Sequence, residues 1–496
     1  MRSFRHKFFA VAMALLLLLP LSACGIGSSF DSSNSNHTNA TTEISTEDPH
    51  YICELPTDLH YDTEISILYT DMPGRSDELI SESLGGGIIS DAVYERNIAV
   101  SSRLGVELQF TKRDSDVDTV TTIANLVQSG DKSIDLFVTG TYVCMTPVLA
   151  GHYLDLNNVE NIDLSKHYWN QDYNEMMTFT SDHLQFVATS PIAISIFRKG
   201  YLTIFNRTLF AEYHIPDLYE AVNNGDWTLD YQHRISKDIY ADANGDGQRN
   251  IGDIYGFVVG NETDMDVYAV SSMIHLTVRN ESGDLAYNSE SFDRLVTMSE
   301  KVSTLCNSPG TYLADSFDEG FNAPIEQFTQ GKALMATAMF GGLESEIEYL
   351  ADMSYGIAPI PKLNKEQKSY GTYIQDQVSS FGISASIGDE GRQAILGAVM
   401  EAMSYYSYVL VRPAYYDSVL SSRFMQDPES SAILDTMFES ISFDYVYATG
   451  LGDVRDNMRS VISSPNPAIA SKEKVWQRQI ENALKTQKSS LDKLLK

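Results

Sequence analysis

An alternation of strand and helix patterns in residues 64–140 constrains the fold more strongly than any other feature of this sequence. Residues 64–71 (EISILYTD) alternate apolar and polar side chains, as a half-buried strand does. A helix pattern begins at Asp91 and ends at Gly105, where the strand VELQF follows. A second helix pattern, VDTVTTIANLVQSG, leads into the apolar strand IDLFVTG. This order predicts an α/β fold built on a parallel sheet with helices on its faces.

The carboxyl ends of these strands are the first candidate for a functional site. In open α/β sheets, ligands bind in the crevice outside the carboxyl ends of the strands. The first strand pattern ends at Asp71, and Tyr142 directly follows the third. A carboxylate and an aromatic ring can hydrogen-bond and stack on a ligand, so we take both as candidate ligand-binding residues.

The rest of the chain continues the alternation and then becomes mainly helical. A second region begins near Pro147, and residues 333–338 form a strand pattern after a Gly-Lys turn. GRQAILGAVMEAMSYYSYVL predicts one long helix within the last hundred residues. The chain has 496 residues and no repeat of about 20 to 50 residues. It is long enough for two lobes with large cores.

The amino terminus has the pattern of an export signal. Three basic residues precede the apolar run FFAVAMALLLLLPLSA, and this predicts a signal peptide over residues 1–23. LSAC, ending at Cys24, resembles a bacterial lipobox, in which the cysteine thiol is acylated and becomes the first mature residue. The Ser-, Thr- and Asn-rich residues 24–60 predict a flexible tether. We expect a domain held outside the cytoplasmic membrane by its lipid, in a Gram-positive bacterium; a plain signal peptide is the alternative.

Charge and cysteine content exclude several classes of protein. The formal net charge is −32, which disfavours binding to nucleic acid and to anionic lipid. Cys53, Cys144 and Cys306 are widely separated and form no CxxC motif, so neither a zinc ribbon nor a thioredoxin-like site is available. One disulfide with a spare thiol, or three free thiols, remain as alternatives.

The twelve residues DANGDGQRNIGD (242–253) have the spacing of a calcium-binding loop. Oxygen atoms would come from five positions, with Asn250 as a sixth: Asp242, Asn244, Asp246, Gln248 and Asp253. The flanks differ from those of a helix-opening sensor, because a helix pattern precedes the loop and a strand pattern follows it. We therefore expect calcium in a structural role; a turn without metal is the alternative.

Several stretches in order carry a resemblance to a known family. DAVYERN, IFNRTLFAEYHIPDLYE, GDWTLD followed by DANGDGQRNIGDIYGF, FTQGKALM and GIAPIPKLNKEQKSYGTY resemble extracellular solute-binding lipoproteins of ABC-type importers. The group is the carbohydrate-binding one related to maltose-binding protein. The resemblance covers the chain from about residue 62 to its end.

The resemblance implies a two-lobe periplasmic-binding-protein-like fold of type II, with discontinuous lobes joined by hinge strands. On this basis residues 61–145 and about 336–386 are predicted to form lobe 1. Residues from about 146 to 335 and 387–496, with the loop 242–253, are predicted to form lobe 2. The function implied is capture of a sugar or oligosaccharide in the interlobe cleft and delivery to an ABC permease, by a monomer without enzymatic activity.

Four further residues are candidate contacts for the solute. The resemblance places the turn after KALMATAM at the cleft, and its aromatic residue here is Phe340. Local sequence suggests Trp169, Tyr373 and Asp376. For each of the four, the alternative is a core or surface residue that contacts no ligand.

An exported enzyme, such as a lipid-anchored glycoside hydrolase, is the alternative function. Among 67 acidic residues, a carboxylate pair at catalytic distance is inevitable, so the count alone does not support a hydrolase. HExxH and GxSxG are both absent from the sequence. A third function, a calcium-dependent adhesion module, is supported by one loop only and does not fit the α/β pattern.

Overall fold

The computed structural model describes residues 53–75, 77–179, 183–420 and 428–495, all of which belong to one compact unit. The predicted signal peptide, Cys24 and most of the predicted tether lie outside these residues. The strands are β1 Thr63–Thr70, β2 Val106–Arg113, β3 Leu136–Gly140, β4 Thr178–Phe179, β5 Leu184–Gln185, β6 Tyr201–Asn206, β7 Tyr240–Ala241, β8 Ile254–Gly260, β9 Thr277–Arg279, β10 Leu285–Tyr287, β11 Thr311–Ala314, β12 Ala333–Met339, β13 Tyr355–Ala358, β14 Thr372–Tyr373, β15 Ser379–Ile383 and β16 Ile441–Ser442. The α-helices are α1 Ile88–Leu104, α2 Asp116–Ser129, α3 Thr141–Leu149, α4 Gln171–Met176, α5 Ser195–Arg198, α6 Arg207–Glu212, α7 Leu218–Asn223, α8 Leu229–Ser236, α9 Val267–Ser271, α10 Phe292–Cys306, α11 Ala323–Thr329, α12 Phe340–Ser345, α13 Ile347–Leu350, α14 Glu390–Tyr406, α15 Arg412–Leu420, α16 Pro428–Glu439, α17 Tyr445–Thr449, α18 Val454–Ile462 and α19 Glu473–Leu494.

The first sheet has the strand order β15-β3-β1-β2. β1 pairs in parallel with β2 and with β3, as the alternating pattern predicts, and β15 pairs antiparallel with β3. Helix α1 ends at Gly105, which has a left-handed backbone (φ 62°), a conformation that glycine adopts without steric cost. The Ser115 side chain caps α2 by accepting a hydrogen bond from the backbone N–H of Asp118. The predicted parallel sheet is therefore confirmed.

The second sheet has the strand order β11-β8-β12-β6-β13, with β7 added to β8. β8 is parallel to β11 and β12, whereas β6 is antiparallel to β12 and β13. The predicted strand at 333–338 is central to this sheet, where its residues are almost fully buried. The two sheets define two lobes, so the predicted two-lobe α/β architecture is present.

The chain crosses between the sheets three times. The first crossing lies before β6, the second lies between β13 and β15, and the third follows α14. The first two crossing segments run side by side, joined by bridges between Ala188 and Phe381 and between Gly200 and Ile374. Paired antiparallel segments of this kind have the geometry of hinge strands.

The strand pairing differs from the predicted lobe boundaries at two places. Residues 336–386 were assigned to lobe 1, but β12 and β13 pair within the second sheet and only β15 returns to the first. Helix α14 was assigned to lobe 2, yet it packs against α1 of the first lobe. The sequence pattern identifies each element but carries no information on which sheet completes its hydrogen bonds.

The stretch Glu390–Ser418, which includes α14, is long and apolar enough to cross a membrane by length and composition (hydropathy 1.4). Two-thirds of its most apolar window (67%) is nevertheless buried inside the protein. Its apolar side chains pack against the first sheet's helices, so the stretch is a core helix.

Candidate functional site

Residues that follow strands of both sheets meet in one polar cluster. Tyr142, just after β3, donates its backbone N–H to the carbonyl of Asp376 (3.0 Å). The Asp376 carboxylate forms an ion pair with Arg455 of α18. One turn along α18, Arg459 donates from Nε to Asp266 (3.0 Å), which follows β8. We call Asp266, Tyr373, Asp376, Arg455 and Arg459 the polar cluster; its contacts connect the carboxyl ends of β3 and β8, one strand from each lobe.

A second link between the lobes lies at the hinge. Arg198, at the end of the first crossing segment, donates both terminal nitrogens to Asp77, in the segment after β1. Its Nε atom donates to Glu344 (3.0 Å) in α12, the helix that follows β12. Arg198 is 8% exposed, whereas the side chains of Asp77 and Glu344 are partly exposed (47% and 27%), so the guanidinium is covered by the two segments that it joins.

Burial and charge set the protonation of the polar cluster. Burial raises the pKa of Asp266 to about 6, although the guanidinium of Arg459 opposes this shift. The pKa of Asp376 is also raised by burial and is held down by Arg455 and Arg459. Both carboxylates are nevertheless ionic partners of arginines, an arrangement that favours their charged form near neutral pH.

Aromatic rings border the polar cluster. Tyr373 is 1% exposed; its ring stacks on Tyr201 at 5.7 Å, and its hydroxyl donates to Asp266 (3.4 Å). Tyr142 is partly exposed, and burial together with the nearby Asp116 raises the pKa of its phenol to about 12. Neutral phenols beside paired carboxylates and guanidinium groups provide both donors and acceptors for the hydroxyl groups of a polyhydroxylated ligand.

The first lobe contains a second group of charged residues, a buried ionic network. Arg75, 1% exposed, pairs with Asp116 (Nη1 to Oδ2, 2.8 Å) and donates from Nε to Ser379 (3.0 Å). Glu78 accepts hydrogen bonds from Ser195 and Ser379. Since these residues come from the segment after β1, from α2 and from both crossing segments, the network fixes the hinge against the first sheet.

Of the six predicted contact residues, the structure brings three together. Tyr142, Tyr373 and Asp376 lie at or in the polar cluster, and their contact with a solute stays a prediction. Asp71 lies at the carboxyl end of β1, where it forms an ion pair with Lys112 (2.8 Å).

Phe340 and Trp169 are core side chains. Phe340 is 1% exposed, and its ring packs against Phe438 at 5.2 Å. Trp169 is 2% exposed, and its Nε1–H donates to Glu401 (3.0 Å). Both side chains therefore have the environment of packing residues; Tyr373 is equally buried, at 1% exposed, but its hydroxyl bonds to Asp266 of the polar cluster.

The basic residues of the site were not predicted from the sequence. Arg75, Arg198, Arg455 and Arg459 belong to no motif, and each becomes recognisable only through its carboxylate partners in the structure. One signal was available: in α18 the arginines are four residues apart, beside the apolar Val454 and Met458. Charged residues next to the apolar face of a short helix indicate buried ion pairs.

In the structure, the predicted calcium loop folds around its own side chains. Asp242 accepts hydrogen bonds from the backbone N–H groups of Gly245 and Gly247, and Asp246 accepts one from Gln248 (2.7 Å). Asp253 is 0% exposed and accepts hydrogen bonds from Tyr240 and Ala243.

The side chains of the loop also bond to one another. The side-chain amides of Asn244 and Asn250 both donate to the Asp246 carboxylate (3.2 and 2.8 Å). Among the described residues, no three His, Cys, Asp or Glu side chains are grouped as a metal site would require. The carboxylates predicted to bind calcium accept hydrogen bonds from within the loop in this structure. Calcium binding stays a prediction.

The three cysteines of the described chain are free. Cys144 and Cys306 are buried, and Cys53 is partly buried. This agrees with the alternative of three free thiols.

No protein-family model matches the chain, and no curated protein matches it. Solved structures do match. The galacto-N-biose-/lacto-N-biose I-binding protein of the ABC transporter from Bifidobacterium longum has a TM-score of 0.55 at 13% identity, covering 86% of this chain and 97% of that one. The GacH receptor of Streptomyces glaucescens GLA.O, solved unliganded and with acarbose, has a TM-score of 0.53 at 10% identity, covering 85% and 99%.

A third match is the maltose-binding periplasmic protein MalE from Listeria monocytogenes in complex with maltose. Its TM-score is 0.51 at 12% identity, and the match covers 84% of this chain and 98% of that one. Almost the whole length of each of these proteins is therefore matched. The chain has the two-lobe α/β fold of these sugar-binding proteins.

Proposed function

We propose that this protein captures a sugar or oligosaccharide in the cleft between its lobes and delivers it to an ABC importer. The observation that carries the proposal is the polar cluster, which connects the carboxyl ends of β3 and β8 with paired charges and tyrosine hydroxyls. Planar polar groups fixed by ion pairs are suited to paired hydrogen bonds with sugar hydroxyls. The matched solved structures, which bind sugars through the same fold, support this.

The alternative of a glycoside hydrolase is less well supported by the site. Such an enzyme uses one protonated carboxyl as an acid and a second carboxylate as base or nucleophile. In the polar cluster, Asp266 and Asp376 are each paired with an arginine. Both carboxylates are buried and hydrogen-bonded to these arginines, so neither is free to give a proton to a glycosidic oxygen.

Delivery to a permease requires a location outside the cell. We propose that acylation of Cys24 anchors the mature protein to the outer face of the membrane as a monomer, and LSAC with the polar segment after it supports this. The closing motion draws on the solute's higher affinity for the closed form, since only differential binding moves such an equilibrium.

We expect the melting temperature to rise with the correct sugar, and the sugar to be recovered unchanged. Asp376→Asn keeps the side-chain shape but removes the charge that holds Arg455, so we expect about 10-fold weaker binding or more. Calorimetric titration measures the affinity, and chromatography of the recovered sugar measures its integrity.

The matched control is Asp230→Asn, since the exposed Asp230 pairs with Lys301 in the second lobe away from the polar cluster. This variant should bind sugar as the unmodified protein does. Sugar cleavage at a rate proportional to protein concentration would establish the enzyme instead.

We also propose a structural calcium ion in the loop 242–253. Calcium that binds only the folded state should raise the melting temperature. At a free calcium concentration 100 times the dissociation constant, the free energy of unfolding should increase by about 2.7 kcal/mol. Asp242→Ala with Asp246→Ala should abolish the rise. A melting temperature that is indifferent to both calcium and chelator would show that the loop is a turn without metal.

A further inference from the structure

The site contains one cation without an ionic partner. Arg75, Arg198, Arg455 and Arg459 each form an ion pair with a carboxylate. In the described chain Lys199 forms none; its Nζ donates to the side-chain oxygen of Gln377 (3.1 Å). Unpaired charge inside a cleft is costly to desolvate, so its presence needs an explanation.

Lys199 lies where the lobes meet. It follows Arg198 at the end of the first crossing segment, and its backbone carbonyl accepts a hydrogen bond from Gln375 of the second (3.0 Å). Its side chain lies against the turn after β1: a β-carbon built on Gly74 would be 3.7 Å from Nζ. The ammonium group is therefore held between the end of the first sheet and the hinge.

The charged groups around Lys199 are committed to other partners. Burial and the nearby Arg75 lower the pKa of Lys199, and Asp376 and Glu78 act in the opposite direction. Asp376 is paired with Arg455, and Glu78 accepts hydrogen bonds from Ser195 and Ser379. Neither carboxylate is free to neutralise the ammonium.

A second donor lies in the same region. The Nη2 atom of Arg75 is buried and has no hydrogen-bond partner, although Nε and Nη1 of the same guanidinium are both satisfied. A buried charged donor without an acceptor is rare in folded proteins. An ammonium without an ionic partner and a guanidinium nitrogen without an acceptor therefore lie in the same region, close enough for Arg75 to lower the pKa of Lys199.

We propose that the solute is an acidic sugar, whose carboxylate is bound by Lys199 with the support of Arg75. This deepens the proposed function and rests on it. The protein is acidic overall, with a net charge of −32, so the electrostatic potential of the whole protein repels anions. Recognition of an anion then depends on these local donors, and the carboxylate would supply the ionic partner that the ammonium lacks.

The test compares a uronic-acid disaccharide with its methyl ester, which has nearly the same shape but no charge. We expect the unmodified protein to bind the acid at least about 10-fold more tightly, with an affinity that falls as salt increases. Lys199→Gln should remove this preference, and Lys199→Arg should restore most of it. The control Lys132→Gln makes the same charge change on an exposed loop and should leave the preference intact.

The outcomes separate the two proposals. Tight binding of neutral sugars with no preference for the acid would overturn the acidic-sugar proposal and leave sugar capture standing. Binding of a sulfated sugar but not the uronate would also overturn it. Failure of every neutral and acidic sugar to bind would instead contradict the proposed function. The comparison of acid with ester in the unmodified protein remains decisive if a Lys199 variant does not fold.

Discussion

Gly310→Ala should destabilise the protein by about 4 kcal/mol or more, a large part of the roughly 5–15 kcal/mol by which native proteins are stable. An ideal β-carbon at Gly310 would lie 1.8 Å from the carbonyl oxygen of Ser236 and 2.7 Å from the carbonyl carbon of Lys237. Both are backbone atoms, so no side-chain rotation can relieve the overlap. The N–H of Gly310 also donates to the Lys237 carbonyl (2.6 Å), which fixes the two segments together.

The same carbonyl of Ser236 is enclosed from a second side. A β-carbon on Gly256 in β8 would lie 2.2 Å from it. The end of α8 is thus held between two glycines, one in β8 and one before β11. Because the Ser236 carbonyl contacts the backbone at both glycines, it has little room to shift, and we expect the effect to exceed that of ordinary overpacking.

Urea unfolding followed by circular dichroism measures the change. Gly388→Ala is the matched control, because a β-carbon there would have no heavy atom within 4 Å. We expect the control to change the free energy of unfolding by less than about 0.5 kcal/mol. Equal unfolding midpoints for the two variants would show that the contact at Ser236 is not as close as described.

The sequence predicted local elements well because their causes are local. The strand and helix periods of residues 64–140, the glycine at the end of α1 and the strand around 333–338 are all properties of short segments. The pairing of β12 and β13 with β6 is not local, since it joins residues at least 130 positions apart. For this reason the lobe boundaries were predicted less accurately than the elements.

The same difference between local and non-local causes explains why only part of the candidate site was predicted. Tyr142 and Asp71 follow strands of a parallel sheet, so topology alone placed them at a sheet edge. The arginines of the polar cluster come from α18, whose packing against the end of β8 no periodicity reveals. Phe340 shows the opposite case: it follows a strand as predicted, but its ring turns into a cluster with Phe438.

Asp116→Ala should cost about 3–5 kcal/mol of stability, because it removes the nearer carboxylate partner of the buried Arg75 guanidinium and leaves only Glu78, 4.0 Å from Nε. Asp116 is 1% exposed. It accepts hydrogen bonds from Arg75 (2.8 Å), from the Thr70 hydroxyl (2.7 Å) and from the Gly140 N–H (2.9 Å). One carboxylate therefore connects the ends of β1 and β3 with the segment that carries Arg75.

Urea unfolding again measures the loss. Asp118→Ala, an exposed change two residues further along α2, should cost less than about 1 kcal/mol. Adding Arg75→Met to Asp116→Ala should recover part of the stability, since the guanidinium that lost Asp116 is then gone while Glu78 keeps its hydrogen bonds from Ser195 and Ser379. A double variant that is as unstable as Asp116→Ala would assign the loss to the hydrogen bonds with Thr70 and Gly140 instead.

The dependence on pH distinguishes the ion pair from simple packing. Burial alone would raise the pKa of Asp116, but Arg75 and the hydrogen bonds hold it below its usual range. A group whose folded pKa is lowered stabilises the protein above its unfolded pKa, about 3.9 for aspartate. This stabilisation is lost as the pH falls through the folded pKa.

The stability difference between the unmodified protein and Asp116→Ala should therefore stay constant from neutral pH to about 4 and shrink below it. A difference that does not change at low pH would mean that the carboxylate acts through packing rather than charge, and that the hinge is not held by this ion pair.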